Sequence, residues 1–157
     1  VRTGVRLGVD VGKVRIGVAR SDLHGMLATP VETVQRDTVG GGADIARLVA
    51  LREELDAFEV IVGLPLAMSG GHTASTADAL GFARALQAAV DVPVRMVDER
   101  LSTVSAQSAL RSSGRGSRTQ RPVIDQVAAV IIVQHALDSE RGTGQPPGTV
   151  VTSVEGS

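Results

Sequence analysis

The stretch from Ile124 to Leu137 constrains this chain most, because it is apolar on nearly every side: Val127, Ala128, Ala129, Val130, Ile131, Ile132 and Val133 follow one another without a charge. A helix with no polar stripe has to be enclosed. In a chain of 157 residues, one domain of ordinary size, the enclosing surface must be a sheet with other elements around it. No uninterrupted apolar run reaches the roughly 18 residues that a membrane span needs, and the first residues carry no basic, then apolar, targeting pattern. The expectation is a soluble cytoplasmic protein without membrane contact.

The remaining segments supply that sheet. Val5 to Val11 and Arg15 to Ala19 read as two β-rich runs joined by a short turn through Gly12 and Lys13, an antiparallel hairpin, and Pro30 to Arg36 reads as a third strand. After the break at "TVGGG", Ile45, Leu48, Val49, Leu55 and Phe58 recur at helical spacing, with Asp44 as the cap. "VIVGLP" (60–65) is a short aliphatic strand followed by a Gly/Ser/Thr loop, and a second helix runs from about Thr76 to Ala89. "VPVRMV" is the next strand and ends in "DERLST", where Ser102 caps a third helix to about Leu110. The order predicts an α/β fold: a mixed sheet of about five strands, an antiparallel β1-β2-β3 meander followed by parallel strands, with helices on both faces. Residues 1–138 form the expected domain, and the Gly/Pro-containing stretch 139–157 a flexible tail.

Composition narrows the partners. Aromatic residues make up 1% of the chain, Phe58 and Phe82, so base-stacking platforms are missing and nucleic-acid contact would be mainly to phosphates. The net charge of −1 makes any basic site local, and the absence of cysteine excludes thiolate chemistry. Lys13 is the only lysine beside fifteen arginines.

Three acidic positions stand out. Asp10 lies in an otherwise aliphatic strand, Asp98 and Glu99 end the "VRMV" strand, and Asp125 opens the apolar last helix. A buried carboxylate needs a partner, a cation or water, since leaving it alone costs several kcal/mol. Converging, these acids would hold a divalent cation. Oxygen-only ligands suit Mg2+ or Mn2+, which bind phosphate oxygens, activate water and stabilise a leaving group. Each also has an ordinary explanation: a strand Asp can pair with an arginine, and acids favour a helix's first turn. "RSSGRGSRTQR" adds Arg111, Arg115, Arg118 and Arg121 with no acid, either a phosphate clamp or a solvated loop. "VGLPLAMSGG" lacks the Gly-Lys-Ser/Thr ending of a nucleotide-cradling loop, and His24, His72 and His135 fit no ligand spacing.

"GVDVGKVRIGVA", "IVGLPLAMSGG", "VDERLSTVSAQ" and "VIDQVAAVIIVQ" resemble, in order and approximate spacing, the four motif blocks of the YqgF/RuvX family of Holliday-junction resolvase-like nucleases, over residues 5 to 137. The resemblance implies an RNase H-like fold related to RuvC resolvases, with acids gathered around a divalent metal. Carried over by position, those acids are Asp10, Glu99 and Asp125, with Asp98 less favoured because the resemblance to resolvases points to the second acid of "DER"; strand alternation sends the two to opposite faces, so both cannot serve equally. It also implies maturation of the 5′ end of pre-16S rRNA, resolution of four-way DNA junctions, or both. Two departures fall on substrate contacts: Ser69 stands where the family often has an acid, and "RPVI", with Val123, where it commonly has lysines.

The expected function is therefore a metal-dependent endonuclease acting on structured nucleic acid, with Asp10, Glu99 and Asp125 holding Mg2+ or Mn2+. Lys13, Arg100, Arg111, Arg115, Arg118 and Arg121 would hold phosphates. A junction substrate, with two strands to cut, would call for a two-fold homodimer. The alternative is a non-catalytic nucleic-acid-binding factor of ribosome assembly. A sugar-kinase-like phosphotransferase shares the opening hairpin but needs two such domains, and this chain has length for one.

Overall fold

The computed structural model describes residues 2–37, 39–98 and 121–151, with the side chains of residues 121–125 outside the description. The elements run β1 (Val5–Val11), β2 (Arg15–Ser21), β3 (Ala28–Gln35), α1 (Ala43–Leu55), β4 (Ala57–Leu64), α2 (Ala74–Ala89), β5 (Val94–Asp98), α3 (Arg121–Thr143) and β6 (Thr149–Val150). They build one sheet in the order β3-β2-β1-β4-β5-β6. The first three strands form the expected antiparallel meander, β1, β4 and β5 run parallel, and β6 is antiparallel to β5.

Side-chain alternation sorts the sheet into two faces. Val5, Leu7 and Val9 of β1, Val60 and Val62 of β4, and Val94 and Met96 of β5 pack against Leu48 and Leu51 of α1 and Ala79, Phe82, Ala83 and Leu86 of α2. On the other face α3 lies alone among the described helices. Its Ala129, Val133 and Leu137 meet Ala19 and Ala28, and its Ile132 and Ala136 meet Ile61 and Val97. The all-round apolar segment is thus covered mainly by the sheet, on two neighbouring stripes of the helix.

Several boundaries differ from the sequence expectation, each for a local reason. Asp44 does not cap α1; Gly42 does, at φ 77°, and buried Asp44 instead accepts the backbone N–H of Asp37. Phe58 belongs to β4, because Asp56 turns the chain at φ 52° and buried Ala57 pairs with Val5. The ring of Phe58 then lies 4.9 Å from the guanidinium carbons of both Arg2 and Arg6. Residues 139–151, expected within a flexible tail, complete α3 and form β6, giving six strands rather than five. Glu140 is held by arginines of the N-terminal segment, and Val151 is buried with its N–H on the Val94 carbonyl. The helix expected at 102–110 and residues 152–157 lie outside the described residues.

Two features lock α3 in place. The first is Gly8: a Cβ there would stand 1.9 Å from Cγ2 of Val133, so only glycine lets the helix lie this close to β1. The second is an ion-pair network at the other end of the helix. Arg2 donates to Glu140 through its backbone N–H and Nε, both 3.0 Å, and to Glu59 through Nη1 at 3.0 Å. Arg95 Nε donates to Glu59 at 2.6 Å, and the fully buried Arg6 reaches Glu140 at 3.4 Å. Hydrogen bonds from Arg2 hold the Glu140 carboxyl at a pKa of about 2, against an ordinary 4.5.

Gly8→Ala should destabilise the fold by overpacking, about 2 kcal/mol or roughly 4–8 °C in Tm, and Val133→Ala in the same chain should restore part of the loss. Paired thermal melts of the single and double variants measure this. Because the Glu140 pKa is depressed on folding, its contribution to stability is complete above about pH 4.5 and is lost as pH falls toward 2. Urea midpoints taken from pH 6 to pH 2 should fall through that window in the native chain, and fall less steeply in Glu140→Gln.

Candidate active site

The parallel strands β1, β4 and β5 end together, at Val11, Leu64 and Asp98, and the carboxyl edge of such strands is where open α/β sheets place their functional crevice. Asp10 is the penultimate residue of β1, half-buried, on the face of Gly8 and therefore beneath α3. It pairs with Gly17 of β2. On its other side Val9 pairs with Val62, which sets Asp10 level with Gly63 of β4. Its cross-strand neighbours on both sides are thus glycines, which raise no side chain above the sheet beside the carboxylate.

The second turn of α3 stands over the same row. Gln126 Nε2 donates to Thr33 Oγ1 at 3.1 Å, and Thr33 is the β3 partner of Gly17. Further along α3, Val133 covers Gly8 and Glu140 meets Arg2 and Arg6, so the helix runs antiparallel to β1 with its N-terminus at the Asp10 end. Asp125, one residue before Gln126, is carried by the backbone to the level of Asp10.

β5 brings the third acidic block to this edge. Gly63 pairs with Val97 and Leu64 with Asp98, so the end of β5 lies two strands from Asp10, about 10 Å at ordinary strand spacing. Val97 packs against α3, whereas Val94 and Met96 pack with α1 and α2. Asp98, the last residue of β5, lines a cavity with Val97 and with His135, Ala136 and Ser139 of α3. Glu99, Arg100, Arg111, Arg115 and Arg118 lie outside the described residues, as do the side chains of Asp125 and Arg121. Among the described residues no three His, Asp or Glu side chains form a metal-sized cluster.

The turn after β1 and the loop after β4 border the edge. Lys13 is exposed at the tip of the β1–β2 turn. The 65–73 loop folds on itself through Gly70 N–H to the Ala67 carbonyl and Ala67 N–H to the Gly71 carbonyl, leaving Met68 and Ser69 exposed. Thr76 hydrogen-bonds the Pro65 carbonyl and shares a capping box with Thr73, so α2 starts at Ala74 and pins the loop's base. His24 and His72 are exposed, and His135 lines a small cavity beside Val97 and Asp98.

Sequence reasoning missed Gly63, one of the two glycines that flank Asp10, and the side chain that docks the helix, Gln126. The signal for Gly63 was present as a small residue inside an otherwise aliphatic strand; that for Gln126 was one amide beside an acid, which nothing local distinguishes.

Comparison with known proteins agrees with this geometry. A family model described as RuvX, Holliday junction resolvase, matches residues 4–139. A protein of Clavibacter michiganensis subsp. michiganensis named "Putative pre-16S rRNA nuclease" is 67% identical over 151 residues, 96% of this chain and 93% of the relative. A protein of the same name from Leifsonia xyli subsp. xyli is 64% identical over 148 residues, 94% of each chain. Among solved structures, T. thermophilus RuvC in complex with Holliday junction substrate superposes with a TM-score of 0.58 over 94% of this chain and 99% of that one, at 17% identity. That likeness carries the fold, and the RNase H-like architecture expected from the motif blocks is the one observed. Matched by the family model from residue 4 to residue 139 and by relatives along nearly their whole length, the chain belongs to the RuvX Holliday junction resolvase family.

Proposed function

We propose that this chain is a divalent-metal-dependent endonuclease acting on structured nucleic acid, with Asp10, Glu99 and Asp125 as its metal ligands. The observation that carries the reading is the row Thr33, Gly17, Asp10: a carboxylate with glycine beside it in the sheet, directly under the start of α3. The donor set suits a hard cation, because the acids supply only oxygen and the chain has no cysteine. Mg2+ or Mn2+, when bound, would supply charge for the phosphate oxygens and a more acidic water.

The chain's own residues do the rest. Asp10 is held by β1 pairing on both sides, so its carboxylate faces one direction. Gly17 and Gly63 leave the sheet beside it without side chains, where a phosphodiester could approach the backbone. The motif resemblance implies Glu99 rather than Asp98 as the second ligand. Lys13, Arg100 and the arginines at 111, 115, 118 and 121 hold the phosphate backbone on either side.

The names of the relatives point to pre-16S rRNA as the substrate, with its 5′ end implied by the motif resemblance, and the family description to a Holliday junction. An rRNA substrate places the reaction in the cytoplasm. A junction would be cut by two copies of the chain related by a two-fold axis.

The test is cleavage of three labelled substrates with Mg2+ or Mn2+: a four-way DNA junction, an RNA spanning the precursor 5′ end, and unstructured single-stranded RNA. The native chain should cut at least one of the structured substrates. Asp10→Asn should keep the fold and lose at least about a hundredfold in rate, the scale of removing one charge-stabilising group from an active site. Full activity in Asp10→Asn, or no cleavage by the folded, metal-loaded native chain, would overturn the nuclease reading in favour of a binding factor.

A further inference from the structure

Lys13 sits on an exposed turn, where a lysine side chain would ordinarily sweep a wide volume. The turn itself, however, is gripped from both sides by one residue. The backbone N–H of Arg36 donates to the Val14 carbonyl at 2.8 Å, and its Nη1 donates to the Gly12 carbonyl at 2.8 Å. These two carbonyls bracket Lys13. Gly12 is itself required, because its N–H donates to the Arg15 carbonyl and a Cβ would stand 2.5 Å from that oxygen.

Arg36 is in turn fixed by the helical layer. Its Nη1 and Nη2 make a two-pronged contact with Asp78 of α2 at 2.9 and 3.0 Å, and its Nε lies 3.7 Å from Asp44 of α1. The guanidinium also rests 5.2 Å from the centre of the Phe82 ring. A planar fork held at both prongs and on its face has little freedom left. The rigidity of α1 and α2 is thereby passed to the turn three residues beyond Asp10. Hydrogen bonding to Arg36 holds the Asp78 carboxyl below its ordinary range, and the charge of Lys13 acts in the same direction, which places the ammonium within the field of this pair.

We propose that Arg36 is a positioning residue that fixes the Gly12–Val14 turn so that Lys13 meets a substrate phosphate beside Asp10. The inference rests on the nuclease reading for what Lys13 contacts. Its physical content is preorganisation: a cation already placed loses less freedom when it binds. Nothing in the sequence marked Arg36, because it directly follows the third strand among other polar residues and its partners come from two helices and a hairpin.

The test is a double-mutant cycle on binding, measured in the Asp10→Asn chain so that cleavage does not enter. The probes are a fluorescein-labelled four-way DNA junction and a labelled RNA spanning the precursor 5′ end. Lys13→Ala should weaken binding of at least one probe several-fold and lower the salt dependence by about one phosphate contact. Arg36→Gln should weaken it by about threefold or more in the presence of Lys13 and add little in the Lys13→Ala background. Should Arg36→Gln alone fold poorly through the charge left on Asp78, the pair Arg36→Gln/Asp78→Asn removes the fork at constant net charge and should show the same dependence on Lys13. Equal effects of losing Arg36 with and without Lys13, or a Lys13→Ala chain that binds both probes as tightly as its parent, would overturn the proposal. Failure of the native chain to cleave would remove the nuclease reading and leave this cycle interpretable.

Discussion

The candidate site depends on how closely α3 lies on β1, and Gly8 sets that distance. With Val133 seated on Gly8, the rest of the helix is placed by arithmetic. Residue 126 lies seven residues back along the helix, about 10 Å at 1.5 Å per residue, and Asp10 lies two residues along the strand, about 7 Å in the same direction. The second turn of α3 therefore reaches Asp10 and slightly overhangs it. A side chain at position 8 would lift the helix from the sheet at the point from which both distances are measured.

A glycine contact controls separation but not rotation or sliding, and those are set at the opposite end of the same face. Arg2, Arg6 and Arg95 meet Glu59 and Glu140 there, with Glu59 and Arg6 almost fully removed from solvent. Buried ion pairs are weak sources of net stability, since desolvation offsets much of the attraction. Their geometry is nonetheless directional. Glu140 can satisfy Arg2 and Arg6 only at one rotation of α3 about its axis, and shifting the helix by a residue would take that carboxylate from both, leaving Arg2 with Glu59. The network and Gly8 together define a register that carries Asp125 to the level of Asp10.

Much of this was legible in the sequence. β1 had its bounds, and β2 its start, because aliphatic runs punctuated by glycine leave few alternatives, and the enclosed last helix followed from its missing polar stripe. The errors share a cause. Asp44 looked like a cap by residue type, but Gly42 had the backbone freedom the position required. Phe58 continued a helical spacing, yet the left-handed turn at Asp56 moved it into a strand. Arg6 and Glu59 are charged residues inside strands, and their burial becomes acceptable only when three distant segments supply partners. Residues 139–151 read as a tail because the composition is polar and Gly/Pro-rich, whereas their order comes from Glu140 and from the open edge of β5. Period and composition report local choices; partners more than a hundred residues apart do not appear in either.

The same distinction governs the charges that would meet a polyanion. The net charge of −1 suggests a chain indifferent to nucleic acid, but nearly half of its cations are engaged by its own acids. Seven arginines, at positions 2, 6, 36, 47, 52, 95 and 141, form ion pairs with acids of the same chain. Five more fall at 100, 111, 115, 118 and 121, in the stretch that leaves the sheet at Asp98 and re-enters it at the start of α3. Both of those points lie at the carboxyl edge of the parallel strands, and so does the turn that carries Lys13. Internal pairing thus neutralises cations of the described surface, while both ends of the arginine-bearing stretch lie toward the edge that carries Asp10. A site of this kind draws its affinity from where a few charges stand, so residues that hold a turn in place bear on binding as directly as those that touch the phosphate.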